Sequence, residues 1–483
     1  MKTDPSQNNS SESKPKTWSV GTLVYSSGGI VSLFALLIWG DFAWGMRDRS
    51  VAPMSQWFLN HLNVPNLLFG ILISSFPAAL TLIIGPIVSV KSDRYRSKRG
   101  RRIPFLLITT PIAAFGMIGL AFTPILAKWA HGFFSSPSVT QTLTAWGPLG
   151  ERIDTILQNE MIVSVICFGI FWAAFEFATV IGQAVFGGLI NDVVPKELLG
   201  RFFGLFRAVS LLDGIFFNYW LMGKVPDHFT LILTIIGIFY GLAFTWVCLK
   251  VKEGEYPPPP EETIKAHNAL GNFFGEVKTY ARECFTNSYY ISIFIMLMAA
   301  GLCFVPINTF AIPYANSLNV NMDTFGKMLA LTYTISLCLA FFLGWLADLF
   351  HPLRMAIFTL IAYVGVTICG SLFATTASSF LALWVAHGVL SGCYFTVAAS
   401  IAQRLYPQMK FAQFASAGAI FASFGNMFLS PFVGVLIDQS GGVYRYTFVI
   451  GGALAVLALL ASIYVYIRFM RLGGPKDYVA PEV

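Results

Sequence analysis

Gly85-Pro86-Ile87-Val88-Ser89-Val90-Lys91-Ser92-Asp93-Arg94, followed five residues later by Gly100-Arg101-Arg102-Ile103-Pro104-Phe105, decides the fold. An apolar helix runs into a knot of charge here, and another apolar helix leaves it. Lys91–Arg102 holds seven Lys or Arg and a single Asp. A short basic turn between two membrane-length segments faces the cytoplasm under the positive-inside rule. One acid among so many bases also predicts a charge lock between helix ends. A related pattern, Gly344-Trp345-Leu346-Ala347-Asp348-Leu349-Phe350-His351-Pro352-Leu353-Arg354, recurs much later. Two spaced copies predict a membrane protein built from two similar halves.

Composition places the rest of the chain in the bilayer. Hydrophobic residues make up 56% and charged residues 11%, and the mean hydropathy is +0.67. A soluble domain carries about 25% charged residues, so the useful unit is a span of roughly 20 apolar residues. The net charge of +7 lies mostly in short loops that set topology, which excludes a nucleic-acid role. The seven cysteines show no CxxC or paired spacing and read as small hydrophobes, with no disulfide, metal or cofactor implied. The 45 phenylalanines read as lipid-facing and core packing.

Twelve spans are predicted, at 28–52, 66–90, 103–127, 160–186, 203–223, 229–250, 289–314, 322–347, 354–375, 379–403, 411–437 and 446–469. The basic residues of the even-numbered connections put both termini in the cytoplasm of a plasma (inner) membrane. The polar start lacks a cleavage pattern, so the first apolar segment is expected to stay as a span. The organisation expected is a tail over 1–19, a bundle over 20–250, a linker over 251–288, a bundle over 289–470 and a tail over 471–483. Pro257–Pro260 forces an extended linker, and Phe273, Phe274, Val277, Tyr280 and Cys284 after it recur at helical spacing. That stretch reads as an amphipathic helix on the membrane surface, a tether between halves or a regulatory element.

An ionisable residue inside an apolar span costs about 2.5–3.5 kcal/mol at the bilayer centre, so it faces a cavity or a partner. Asp41, Trp44 and Asp48 recur at helical spacing in the first span, with Arg47 beside them. Glu176, Thr179 and Gln183 repeat that spacing in the fourth span, and Asp213 lies in the fifth, six residues after Arg207. Carboxylates, amides and an indole suit a polyhydroxylated substrate, the Trp meeting the apolar side of a sugar ring. A carboxyl group shielded from water can also take and release a proton near neutral pH. Glu176 is the first candidate for that role, then Asp41 and Asp213. Asp41, Trp44, Arg47, Asp48, Gln183 and Asn308 are the candidates for binding substrate. The plainer alternatives are an Arg47–Asp48 pair at the outer mouth, an Asp41 that pins helices, and a His387 that is a hydrogen-bonded core residue. Asn426 completes the thin set in the second half. At the inner face, Asp93, Arg94, Gly100, Arg101, Arg102, Asp192, Arg201, Asp348 and Arg354 are expected to form a charge lock that breaks as the cytoplasmic side opens.

The Gly…Asp-Arg-x5-Gly-Arg-Arg-x-Pro-Phe run resembles the loop between helices 2 and 3 of the major facilitator superfamily. Its form is closest to that of the sucrose transporters and the glycoside/pentoside/hexuronide cation symporters. Phe42-Ala43-Trp44 with Pro53 downstream is similar to a Phe-Gly-Trp…Pro run of sucrose carriers. Glu176, Gln183 and Asp192 match the spacing of that family's fourth-span acid, glutamine and helix-end aspartate. Departures are Glu176 in place of Asp, Gly187 in place of an Arg, and the extra charge of Arg47 and Asp48. The resemblance implies an all-α membrane protein of twelve helices in two pseudo-symmetric six-helix bundles, with a site between them at mid-depth. It implies a monomeric carrier among membrane lipid, not an enzyme, that imports a sugar or glycoside by H⁺ symport in preference to Na⁺ symport. A proton-driven exporter of another metabolite or drug, or more remotely a polytopic membrane enzyme or receptor, are the competing readings.

Overall fold

The computed structural model describes residues 17–256, 282–407 and 410–481. The amphipathic stretch expected in the linker lies outside these residues, apart from Cys284. Ten described segments are long and apolar enough to cross a membrane. One of them, Lys196–Lys250, turns back near Gly223, and Met322–Phe350 is a further long helix, which brings the crossings to twelve.

In chain order the first six are α1 (Ser27–His61), α2 (Asn66–Arg94), α3 (Ile103–Phe134), α4 (Glu160–Val193), α5 (Leu199–Phe216) and α6 (Val225–Lys250). The second six are α7 (Ser288–Ser317), α8 (Met322–Phe350), α9 (Pro352–Phe373), α10 (Ala377–Ala398), α11 (Phe411–Gln439) and α12 (Tyr446–Arg471). Helices are the natural choice because a bilayer leaves no water for unpaired backbone groups. Their starts carry side-chain caps: Ser26 accepts from Gly29 N, Asn159 from Ile162 N and Asn321 from Thr324 N. Proline at N1 or N2 begins α3, α6 and α9, where its missing N–H is not needed.

Several helices outrun the expected spans. The first span is expected to end at 52, yet α1 continues through Pro53 to His61. Pro53 removes one donor and leaves the rest of the ladder, while Met54, Phe58 and Leu59 beyond it are buried in the core. At about 1.5 Å per residue its 35 residues reach about 50 Å, well beyond the ~30 Å apolar slab. The polar start is not all tail: β1 (Trp18–Val20) pairs antiparallel with β2 (Leu23–Tyr25), and Thr22 Oγ accepts Glu255 N at 2.8 Å. This hairpin lies on the face that also holds the described end of the chain, hereafter the terminal face.

Each set of six helices has its own apolar core, one around Leu37, Leu106, Met117, Trp172, Val185 and Phe244, the other around Phe294, Leu360, Tyr363, Phe414, Ala455 and Phe469. The first core continues into Ile307, Phe310, Tyr314, Phe325 and Val433 of the second set, so the two bundles share packing on the side away from the termini. Several polar contacts between bundles lie there too. Asp438 at the end of α11 accepts from Asn66 N at 3.0 Å, Asn66 Nδ2 at 2.8 Å and Leu67 N at 2.9 Å. Its carboxylate thereby caps the N-terminus of α2, where free amides and the helix dipole favour an anion. Tyr444 Oη donates to Asn66 Oδ1, Ser74 Oγ to Asn426 Oδ1 and Ser75 Oγ to Met427 O. α2 contains a π turn, Ile71–Ser75, and a second, Phe217–Leu221, follows directly on α5; both lie where the second bundle touches. On the terminal side the facing walls of α5, α8 and α10 part around a cavity of about 550 Å³. The molecule is closed opposite the termini and open toward them.

The Asp438 cap spans the two bundles, so its loss weakens the closed side. Asp438→Ala removes charge-assisted bonds of about 1.5–3 kcal/mol and is expected to raise the population open on that side severalfold or more. Paired spin labels at Asn60 and Ser440 should report added long distances; an unchanged distribution would refute the cap as a gate.

Candidate functional site: a charged cluster on the first helix

The extended α1 places Arg47, Asp48 and Arg49 near the middle of the helix, away from the outer mouth of the plainer reading of the Arg47–Asp48 pair. Arg47 is 1% exposed. Its Nη2 and Nε donate to Asp48 Oδ1 at 2.6 and 3.1 Å, and Nη1 donates to Tyr240 Oη of α6 at 3.4 Å. The guanidinium carbon stands 3.9 Å from the Trp44 ring centre, 5.1 Å from Tyr240 and 5.7 Å from Phe175. A planar, weakly hydrated cation tolerates such an aromatic box where an ammonium does not. Glu176 of α4, 9% exposed, interacts electrostatically with both Arg47 and Asp48. Asp48 keeps about half of its side chain exposed. The pair therefore has one end sealed in the first bundle and the other at an accessible surface.

Trp44 is differently placed from the sugar platform expected of it. Its ring stacks on Phe186 at 5.3 Å between centres, touches Phe244, and carries Arg47 against its other side. In this conformation it is core and offers no open face. Asp41 lies on the α5 side of α1, with Oδ2 buried and without a partner. It interacts with Asp213, whose residue is 0% exposed. The set thus divides into Arg47–Asp48–Glu176 toward α4 and α6, and Asp41–Asp213 toward α5. Gln183 is exposed on α4, and Thr179 Oγ1 is buried without a partner.

In the second bundle Asn308 is exposed and its Oδ1 lies 3.2 Å from His387 Nε2. His387 is fully enclosed, with Nδ1 2.8 Å from Tyr363 Oη. This is the hydrogen-bonded core histidine, and it fixes the orientation of an exposed amide. Asn426 serves the contact between bundles described above. Three groups escaped the sequence reading. Arg49 donates to Ser210 O at 3.2 Å, Ser210 Oγ at 2.9 Å and Tyr333 Oη of α8 at 3.1 Å, bridging the bundles. Tyr240 sits in an apolar run with nothing to mark it, and Glu253 was read as linker. Arg207 lines the 550 Å³ cavity with Gly204, Leu211, Leu337, Phe395 and Thr396. A larger groove of about 610 Å³ on the outside of α1 and α6, along Trp39, Phe239, Leu242 and Trp246, is walled by apolar chains and suits lipid tails.

At the terminal face Arg101 grips Asp192 with two bonds of 2.6 and 2.9 Å, and Arg102 Nε reaches the same carboxylate at 3.3 Å. Arg102 also bonds Asp93 at 2.5 Å and Ser92 Oγ at 2.7 Å. Gly100 adopts φ +102°, and beyond it the amides of Arg101, Arg102 and Ile103 donate to the Glu253 carboxylate at 2.9, 2.9 and 2.7 Å. Tyr256 donates to Glu253 and lies beneath Arg101; burial, then the nearby Glu253 and Asp192 charges, hold its phenol above the usual range. Among the described residues, the partners belong to α2, α3, α4 or the segment after α6. The cluster expected as a breakable lock thus lies within one bundle, and it is intact while a cavity separates the bundles on this same face. Arg94 and Arg201 are exposed at helix ends, and Arg354 donates to Tyr466 Oη at 2.7 Å. The Asp348 side chain lies outside the described set.

Residues 289–478 match the family model of the Major Facilitator Superfamily. The whole chain shares its fold with solved transporters. A bacterial homologue of the human lysosomal transporter Spinster, inward-facing and unoccupied, superposes with a TM-score of 0.62 at 13% identity, covering 95% of this chain and 100% of that one. A D-xylose-proton symporter gives 0.61 at 15% identity over 94% and 98%. The nucleoside transporter NupG gives 0.57 at 11% identity over 90% and 98%. No curated protein matches the chain. The architecture is the all-α major facilitator fold, two bundles of six membrane helices.

Because the terminal-face cluster is internal to one bundle, Asp192→Ala should lower stability rather than redistribute conformations. Leaving two arginines without their shared carboxylate costs about 3 kcal/mol, readable as a lower thermal-unfolding midpoint of the purified protein. Label distances between the bundles should stay as in the parent; a redistribution would restore the gating role.

Proposed function

We propose that the protein is a secondary active transporter that imports a sugar or glycoside by H⁺ symport through alternating access. The major facilitator fold and the family match of the second bundle point to transport rather than catalysis. With both termini in the cytoplasm, the conformation described here is inward-open. The observation that carries the coupling assignment is Arg47, sealed in the first bundle with two acids, Asp48 and Glu176, in its field.

One cation with two ionised carboxylates leaves a net negative cluster, which is costly whenever the path closes on both sides and excludes water. A proton on Glu176 leaves a neutral Arg47–Asp48 pair. The occluded state then favours the protonated carrier, and a ligand shifts such an equilibrium only through its different affinity for the states. Asp48, Gln183 and Asn308, each exposed, would supply an acceptor and two amides to substrate hydroxyls. The polar set resembles that of sugar carriers, and a D-xylose-proton symporter is among the structures that share the fold.

A thermal-shift screen of the purified protein against neutral sugars and glycosides, with and without Na⁺, identifies the ligand class. Stabilisation by one glycoside series without Na⁺ is expected. In proteoliposomes, Glu176→Gln should abolish accumulation against a gradient while exchange of the same sugar persists. Normal accumulation with the parent's pH dependence in Glu176→Gln would remove Glu176 from the coupling role.

A further inference from the structure

Asp213, with Asp41 in its field, stands apart from Arg47 and Glu176. Asp213 is 0% exposed, and neither of its carboxyl oxygens has a hydrogen-bond partner; Asp41 Oδ2 is equally bare. The helix surfaces are cut to fit this carboxyl. Gly45 lies one turn beyond Asp41 on the same side of α1, and a Cβ there would stand 1.9 Å from Asp213 Oδ2. The charged groups facing Asp213 are Asp41, Asp48 and Arg49 of α1, and Tyr333 of α8 packs on the adjacent Gly214. Arg49 spends its donors on Ser210 and Tyr333 and bonds to neither carboxyl.

A bare carboxylate in an enclosed site is among the most expensive groups a protein can hold, the more so with a second carboxylate in its field. Either a proton or a metal cation must be present. A hard cation gathers roughly six oxygens, whereas Asp41 and Asp213 offer three bare ones. We propose that Asp213 is a proton-binding site of its own, separate from Glu176, that holds a proton in the field of Asp41 while α1 and α5 are packed as they are here. Release leaves a carboxylate that needs water or a donor, so the proton leaves only when α1 and α5 part. Its use in coupling rests on the transporter reading above; its existence does not.

Infrared pH-difference spectra of the purified full-length protein test this without any substrate. A protonated-carboxyl C=O band is expected at neutral pH in Glu176→Gln, and is expected to vanish when Asp213→Asn is added to that background. Exchange of K⁺ for Na⁺ should leave it unchanged. Gly45→Ala, which must push the Asp213 carboxyl aside, should shift or abolish the band, and it carries the test if Asp213→Asn does not fold. A band that survives Asp213→Asn in that background, is untouched by Gly45→Ala, or disappears in Na⁺ would overturn the proposal, the last in favour of a metal-cation site. Loss of the Glu176 assignment in transport assays would leave these outcomes unaffected.

Discussion

A guanidinium cannot be enclosed in an apolar helix bundle without replacements for its water, and Arg47 sets the terms for everything near it. Trp44, Tyr240 and Phe175 supply ring faces, and Asp48 supplies the counter-charge. That arrangement fixes the rotation of α1 against α4 and α6. It turns Asp41 and Gly45 toward α5 and turns Asp48 toward an accessible surface. The same cation makes room for a second acid, Glu176, whose charge state then decides whether the cluster as a whole is neutral.

Two kinds of polar contact divide the labour of the fold. Around Asp192 and Glu253 they tie four segments of one bundle into a unit, with carboxylates satisfying arginine forks and the amides that open α3. Around Asp438 and Arg49 they cross from one bundle to the other. Under the proposed alternating access, contacts of the first kind keep both partners in one body, while those of the second kind would have to break; the latter are made by exposed groups or to neutral partners. The charged loop that is most conspicuous in the sequence belongs to the first kind.

The helices were legible because apolar runs of membrane length have few other fates, and the basic loops marked one face. Their ends were not: Pro53 reads as a stop, yet a single missing donor does not unwind a helix that buries Phe58 and Leu59 beyond it. With the span ended there, a place for Arg47 at the outer mouth stayed open as an alternative, whereas the helix puts it near the middle. The same early end also hid Arg49, which looks like flanking charge until α1 is known to extend past it. Asp192 pairing with the basic loop was readable from an acid at the end of one span and bases at the start of another. The acceptor role of Glu253 was not, since three amides aimed at one carboxylate leave no trace in composition.

The sequence alone determined that this chain lives in a bilayer, how its helices are strung, and which few ionisable residues lie within them, because the cost of apolar surface in water and of charge in lipid is local and additive. Tertiary structure alone decided what each of those residues does. Whether Trp44 meets a substrate or an arginine, whether Asp213 has a donor or none, and whether an ion pair joins two bodies or one all depend on which helix faces are turned together. That rotation follows from packing among residues hundreds of positions apart, which no single span encodes.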